Sequence, residues 1–393
     1  MTSSSSQGRD PASLRRHNVR VLLRHLHLHG PTSRARLGKV TGLTRSAIAD
    51  LVGELTSRGL AVETGPSQAP SGRGRPPLIV APSHERARAL AVAVEVDTIR
   101  IRRVGFGGAL LEGTEVPHAA GTGEPERSVR QITELVSEWA GDGEAPIALG
   151  VAVPGLVRAE DGLVARAPNL EWHELDLGER LRAATGLSGP VVVGNEARLA
   201  ALAEHRRGAG QQCADLVYVS AEVGVGGGIL ARNRLLTGST GYGGELGHMI
   251  TRPGGRRCHC GARGCWETEI GADALLRQAG VPNPPDRHAA LDQLFADAAS
   301  GDAGALDALR ALCTPVATGL ANLVNVFNPE RVVLGGLLQH LALHVGEDLR
   351  KALDELRGLP ELPVELQPAE FGEDGRLLGA AEIAIDSFLG RIG

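Results

Sequence analysis

Cys258, Cys260 and Cys265 fall within eight residues of this chain, and His248 lies ten residues before the first of them. Three thiolates and one imidazole complete a tetrahedral Cys₃His zinc site with no position left open, the pattern of a structural rather than a catalytic ion. The intervals between them are rich in Gly and Arg, so a tight loop is able to wrap the metal. Any fold of this sequence must bring 248–265 around one point. A chance group of free or disulfide-linked cysteines is the plain alternative, and the spacing argues against it. Glu245 and Glu267 flank the ligands and are placed to reach a common pocket. Cys213 and Cys313 stand apart from the cluster, which fits a reducing compartment.

The length of 393 residues gives room for two or three domains, each with its own core. Aromatic residues make up only 3%, so those cores must be built from Leu, Val and Ala. The Ser-rich start has no apolar stretch of the signal-peptide kind, and no run approaches the length of a membrane span, so a cytoplasmic protein with no membrane partner is expected. Charge is uneven. Residues 1–80 carry 12 Lys and Arg against 4 Asp and Glu, whereas the remainder carries 29 against 42. A basic head on an acidic body suits a polyanion-binding module joined to something that must not bind the polyanion.

Within that head, Val19, Leu22, Leu23 and Leu26 recur at helical spacing up to Gly30-Pro31. Ser33 suits the N-cap of a short second helix. Thr44 suits that of a third, whose inner face is Ile48, Leu51, Val52 and Leu55. Two strands near 60–63 and 78–80 then predict a wing. Residues 11–82 thus read as a winged helix-turn-helix that binds double-stranded DNA. Ser33, Arg34, Thr44, Arg45 and Ser46 are the expected contacts from the helices. Arg73 and Arg75, in the G-R-G-R-P wing tip, suit a narrow minor groove.

From residue 86 onward short apolar strands at 90–96, 99–104 and near Leu110 precede a helix over 128–139 and a strand over 147–153. A second set starts at 216–220 and ends with a helix over 315–326 and a strand over 331–334. Two α/β lobes follow from this order, with the division between them near 195–200.

The chain resembles the ROK family (repressors, open reading frames and sugar kinases). The resemblance is carried by the G-R-G-R-P wing, Pro154-Gly155, Pro168-Asn169-Leu170 with Trp172, and Gly194-Asn195-Glu196-Ala197. It continues through Glu245-Leu246-Gly247-His248, the C-x-C-G-x-x-G-C-x-E cluster, and Asn328-Pro329-Glu330 before Gly335-Gly336. It implies a two-lobed body of the actin-like ATPase (ribonuclease H-like) fold over 86–393, with sugar and ATP sites in the interlobe cleft. It also implies that Asn169, Asn195, Glu196, Glu245, His248 and Glu267 line a sugar pocket. Such a pocket makes chemical sense, because sugar hydroxyls both donate and accept and are matched by carboxylates and amides.

Family kinases use an Asp as general base and two Gly-rich phosphate loops. Here Glu196 takes the base position, one methylene longer than Asp. Val94-Glu95-Val96-Asp97-Thr98 replaces D-x-G-G-T, and Glu222 opens the second loop, whose remaining glycines read as a structural turn. Carboxylates and side chains where phosphate should sit predict no ATP binding and no catalysis. The expectation is a sugar-responsive repressor, a homodimer or higher oligomer on a pseudo-palindromic operator. The alternatives are a sugar kinase with an appended DNA-binding head, and a repressor that answers to a partner protein.

Overall fold

The computed structural model describes residues 11–65, 78–118, 124–141, 144–359 and 361–392. The head is built as its sequence dictates. Its first helix, Pro11–His29, buries Val19, Leu22, Leu23 and Leu26 and stops at Gly30, where φ is 71°. Ser33 caps Arg34–Thr41 by accepting from the Arg36 amide at 3.3 Å, and Gly42 ends that helix in the left-handed region. Thr44 caps Arg45–Ser57 in the same way through the Ala47 amide. The buried face of this third helix is Ile48, Leu51, Val52 and Leu55. Behind it Ala61–Thr64 pairs with Ile79–Pro82, and a two-residue strand, Thr32–Ser33, adds to the far edge of Ile79–Pro82. That third strand was not expected, because two residues carry no periodicity. The wing tip with Arg73 and Arg75 lies outside the described residues.

The chain divides into two compact units, 1–151 with 176–192 and 380–393, and 152–175 with 193–379. The head belongs to the first. So does most of a five-stranded sheet in the order Val191–Asn195, Ala148–Val153, Arg88–Val94, Thr98–Gly105 and Ala109–Pro117. The last three strands form an antiparallel meander, with Val92 opposite Ile101 and Ile101 opposite Thr114. Helix Pro125–Gly141 buries Val129, Ile132, Leu135 and Val136.

The second unit holds a five-stranded sheet in the order Arg234–Leu235, Val225–Ala231, Leu216–Ala221, Arg331–Gly336 and Glu365–Pro368. Leu216–Ala221 runs antiparallel to Val225–Ala231 and parallel to Arg331–Gly336. Gly226, Gly227 and Gly228 therefore sit in a strand rather than in the structural turn expected of them. A Cβ on Gly226 or Gly228 would collide with Ala197 or Ala201 of helix Glu196–Arg207, so the glycines let that helix lie directly on the strand.

The helix expected over 315–326 extends over Ala303–Phe327, with Pro315 inside it. An internal Pro costs a helix about 3 kcal/mol. Here the helix buries Leu309, Leu312, Val316, Leu320 and Val324, among others, and burial of about 1.5–3 kcal/mol per large apolar side chain outweighs the break. Trp266 lies against Gly319 of the same helix and donates from Nε1 to the Pro315 carbonyl at 2.9 Å. No helix among the described residues is long and apolar enough to cross a membrane.

Candidate functional site

His248 closes a single 3₁₀ turn, Leu246–His248, and Cys265 caps the short helix Trp266–Ile270. Between them the chain doubles back, with Ile250 bridged to Cys265 and Arg257 to Arg263. This brings one donor atom each from His248, Cys258, Cys260 and Cys265 within 4.8 Å of one another. Cys260 Sγ is 3.6 Å from Cys265 Sγ, and Cys258 Sγ is 3.7 Å from His248 Nδ1. Zn–S bonds of about 2.3 Å at tetrahedral angles put sulfurs roughly 3.8 Å apart, so the residues fit the ion expected from the sequence. The approach through Nδ1 also settles which nitrogen of His248 turns the other way. Nε2 lies 4.0 Å from Glu245 Oε2.

Burial pushes the Cys258 thiol up to about 12 and raises that of Cys265 as well, with the nearby Glu267 carboxylate adding to both. Such thiols are poor nucleophiles and give up their protons to a dication.

The acids round this centre have defined surroundings. Glu267 Oε2 accepts from the Val225 amide at 3.2 Å, while Oε1 receives the Cys258 thiol at 3.3 Å, so this side chain ties the metal loop to the glycine strand. Glu245 keeps 39% of its side chain exposed. Desolvation still raises its carboxyl above the ordinary range, against the pull of His248 and Arg198. Asn195 is the N-cap of helix Glu196–Arg207. Its Oδ1 accepts from the Arg198 amide at 3.0 Å, and its Nδ2 donates to the Gly155 carbonyl at 2.9 Å. Asn169 is exposed on a 3₁₀ turn, Pro168–Leu170, which joins two strands of a small three-stranded sheet. Gly155 packs against Arg166 and Ala167 of that sheet, so the contact made by Asn195 reaches the strand leading into Asn169.

Two arginines that the sequence reading passed over organise the same region. Arg198, 5% exposed, donates to the carbonyls of Val157 and Gly241. Arg376, 7% exposed, reaches Glu196 Oε2 at 3.2 Å and Glu222 Oε1 at 2.7 Å. It thus spans the two carboxylates that the sequence places at the expected base position and at the opening of the second glycine loop. Arg198 was within reach of sequence reasoning, since it sits two residues after the N-E pair. Arg376 is 180 residues from Glu196, and nothing local marks it. The other loop position, Val94–Thr98, is a tight turn in which Glu95 accepts from Thr98 Oγ1 at 3.1 Å and faces Arg100.

In the head, Thr44, Arg45 and Ser46 are exposed at the start of the third helix, with Thr44 Oγ1 3.1 Å from Ser46 Oγ. Ser33 is occupied as a cap. Arg34 is partly exposed, and its guanidinium is forked onto both carboxylate oxygens of Glu63 on the wing strand, where it braces helix against wing.

Residues 94–387 match the model of the ROK family. The chain belongs to that family. Among its ROK relatives, the xylose repressor of Bacillus spizizenii is 29% identical over 97% of this chain and 98% of its own length. A glucokinase of Streptomyces coelicolor is 33% identical over 66% of this chain and 86% of its own. Among solved structures, a ROK family transcriptional regulator described as a homologue of the E. coli MLC protein superposes with a TM-score of 0.78 at 28% identity, covering 96% of this chain and 98% of that one. A ROK family glucokinase from Streptomyces griseus, solved with glucose and AMPPNP, covers 76% of this chain and all of its own, with a TM-score of 0.67 at 29% identity. The kinase match covers less of this chain than the regulator match does. The fold of the body is that shared by ROK regulators and sugar kinases, an actin-like ATPase fold.

Proposed function

We propose that this chain is a sugar-responsive transcriptional repressor of carbohydrate genes, acting in the cytoplasm, with a zinc-stabilised body that performs no phosphoryl transfer. One observation carries the reading. The chain opens with three helices and a strand pair in the helix-turn-helix order and matches a xylose repressor over 97% of its length.

His248, Cys258, Cys260 and Cys265 would hold the zinc, which supplies charge and rigidity rather than catalysis. With Nδ1 turned to the metal, the Nε2 N–H of His248 donates to a sugar hydroxyl, and Glu245, Glu196 and Glu267 accept. Asn169 presents an amide from its exposed turn, and Asn195 fixes the start of the helix that carries Glu196. Sugar binding shifts the population between a form that holds the operator and one that does not, which requires unequal sugar affinity in the two.

Several features support a non-catalytic body. Glu196 faces a buried guanidinium, Glu222 shares it, and Glu95 and Asp97 occupy the other turn. A homodimer places one recognition helix on each half of a pseudo-palindromic operator. The test is operator affinity measured with and without D-xylose, D-glucose and amino sugars, alongside coupled ATP turnover on the same sugars. A change in operator affinity without turnover is the expected result. Ordinary turnover would restore the kinase alternative, and sugar binding with no effect on the operator would remove the sensor.

A further inference from the structure

Helix Asp374–Arg391 belongs to both compact units, the second through residue 379 and the first from Ala380. Each part is clamped within its own unit. In the second, a Cβ on Gly379 would overlap the carbonyl of Leu199, so the helix backbone lies directly on the helix that Glu196 begins. Arg376, one turn earlier, bridges Glu196 and Glu222. In the first unit, a Cβ on Gly150 would overlap the carbonyl of Ala380. Glu382 Oε2 meets His27 Nε2 at 3.0 Å, with both side chains fully buried. Gly107 donates its amide to His27 Nδ1 at 3.0 Å, which leaves Nε2 as the nitrogen that donates to Glu382. Arg20, also on the first head helix, donates to the Gly390 carbonyl at 3.0 Å.

We propose that this helix is the link between effector and operator, with Arg376 a positioning residue that senses the Glu196 carboxylate and Glu382 the residue that passes the change to the head through His27. The proposal deepens the sugar-sensor reading and rests on it. A sugar hydroxyl that donates to Glu196 competes with Arg376 for the same oxygens. A buried guanidinium that loses a carboxylate partner is strongly destabilised where it stands, so its turn of helix must move. With no room at Gly379 or Gly150 for the helix to slide past its neighbours, the motion is carried six residues on, about 9 Å along the axis, to Glu382. The head helix follows because its buried ring is held from both sides.

The full-length protein tests this with Arg376→Gln, Arg376→Lys and Glu382→Gln. Three measurements are needed: calorimetric binding of D-xylose and D-glucose, anisotropy on a labelled operator duplex, and amide hydrogen exchange. In the unsubstituted protein the binding sugar is expected to change operator affinity by about tenfold or more. In Glu382→Gln sugar affinity stays within about twofold, while the effect on the operator shrinks to less than about twofold. Arg376→Gln loses the effect as well. Arg376→Lys, which keeps the charge without the two-pronged reach, guards against a folding defect and is expected to lose most of it. Retention of the full effect in either Glu382→Gln or Arg376→Lys overturns the link. Hydrogen exchange decides independently of any sugar. Arg376→Gln should speed exchange in head residues 22–29 by about tenfold, and unchanged exchange there overturns the link even if sugar sensing stands. If no sugar affects the operator in the unsubstituted protein while that exchange effect is present, the sensor reading fails and the mechanical link survives.

Discussion

Cys265 has no exposed surface, and its sulfur faces that of Cys260 across 3.6 Å, which suits it to ligate the proposed zinc. Structural zinc in small sites is worth about 10–16 kcal/mol shared over four ligands, and loss of one ligand removes on the order of 3 kcal/mol, or about a hundredfold in metal affinity. Cys265→Ser is therefore expected to emerge from dialysis with little zinc by elemental analysis. Sugar binding should be lost by calorimetry, because His248, Glu245 and Glu267 all depend on that loop. Operator affinity without sugar should be unchanged, since the head and the metal loop belong to different compact units. A loss of operator binding equal to the loss of sugar binding would show that the metal holds more than the pocket. Glu196 permits a second test. If the longer side chain were the only obstacle to catalysis, Glu196→Asp would restore it. Arg376 would still face the shortened carboxylate, and Glu95 would still fill the first turn, so no ATP-dependent turnover of D-glucose is expected in a coupled assay. A rate approaching 1 s⁻¹, ordinary for an enzyme, would contradict the proposed loss of function.

At the scale of elements, glycine shows its two uses in adjacent parts of the molecule. Gly228 lies where helix Glu196–Arg207 touches strand Val225–Ala231, whereas Gly53, on the exposed side of the recognition helix, has open space where a Cβ would go. Gly228→Val is expected to cost about 1–3 kcal/mol by overpacking, seen as a lower urea midpoint. Gly53→Ala should raise stability by about 0.5–1 kcal/mol through helix propensity and a less flexible unfolded chain. Equal effects at the two sites would mean that the close contact at Gly228 is absent in solution. The same elements show what could be read beforehand. The head helices were legible because Ser33 and Thr44 cap the second and third, and the first and third each carry a four-point apolar face, signals confined to about a dozen residues. The grouping of His248, Cys258, Cys260 and Cys265 was legible because their close spacing is that of a metal-binding loop. Strand Thr32–Ser33 was not, being too short for any pattern, and the glycine strand looked like a turn because its packing partner lies elsewhere in the sequence. Pro315 read as a helix start since local sequence does not report how much apolar surface a longer helix will bury. The bracing contacts of Arg34 and Arg376 were missed for a related reason, their partners Glu63 and Glu196 being distant in sequence.

For the whole molecule, the decisive property is the asymmetry of charge and of purpose between a basic head and an acidic body. Lys and Arg outnumber Asp and Glu by 12 to 4 over residues 1–80, while the rest of the chain is strongly acidic. Phosphate contacts are expected at the basic end, and each should contribute about −0.9 to the slope of log affinity against log salt. Arg45, exposed at the first position of the recognition helix, is expected either to lower that slope by about one when changed to Ala, as a phosphate contact, or to cost about 1–3 kcal/mol at one base pair, as a reader of base edges. Titration against a set of single-base operator variants at two salt concentrations separates these outcomes, and no change in either would remove Arg45 from the interface. The proposed homodimer makes a geometric demand. Two heads fixed by one dimer address half-sites about one helical turn of DNA apart, or a multiple of it. Inserting about 5 bp between the half-sites turns one of them to the opposite face of the duplex, so affinity should fall to that of a single half-site, a loss of about 10²–10⁴. Inserting about 10 bp restores the facing and should recover part of the loss, limited by how far the heads can separate. Gel-shift titration of the three operators, with sedimentation to establish the number of chains bound, checks this directly. Indifference to the 5-bp insertion would mean that the heads act one at a time, and a sugar signal would then have to work within a single chain.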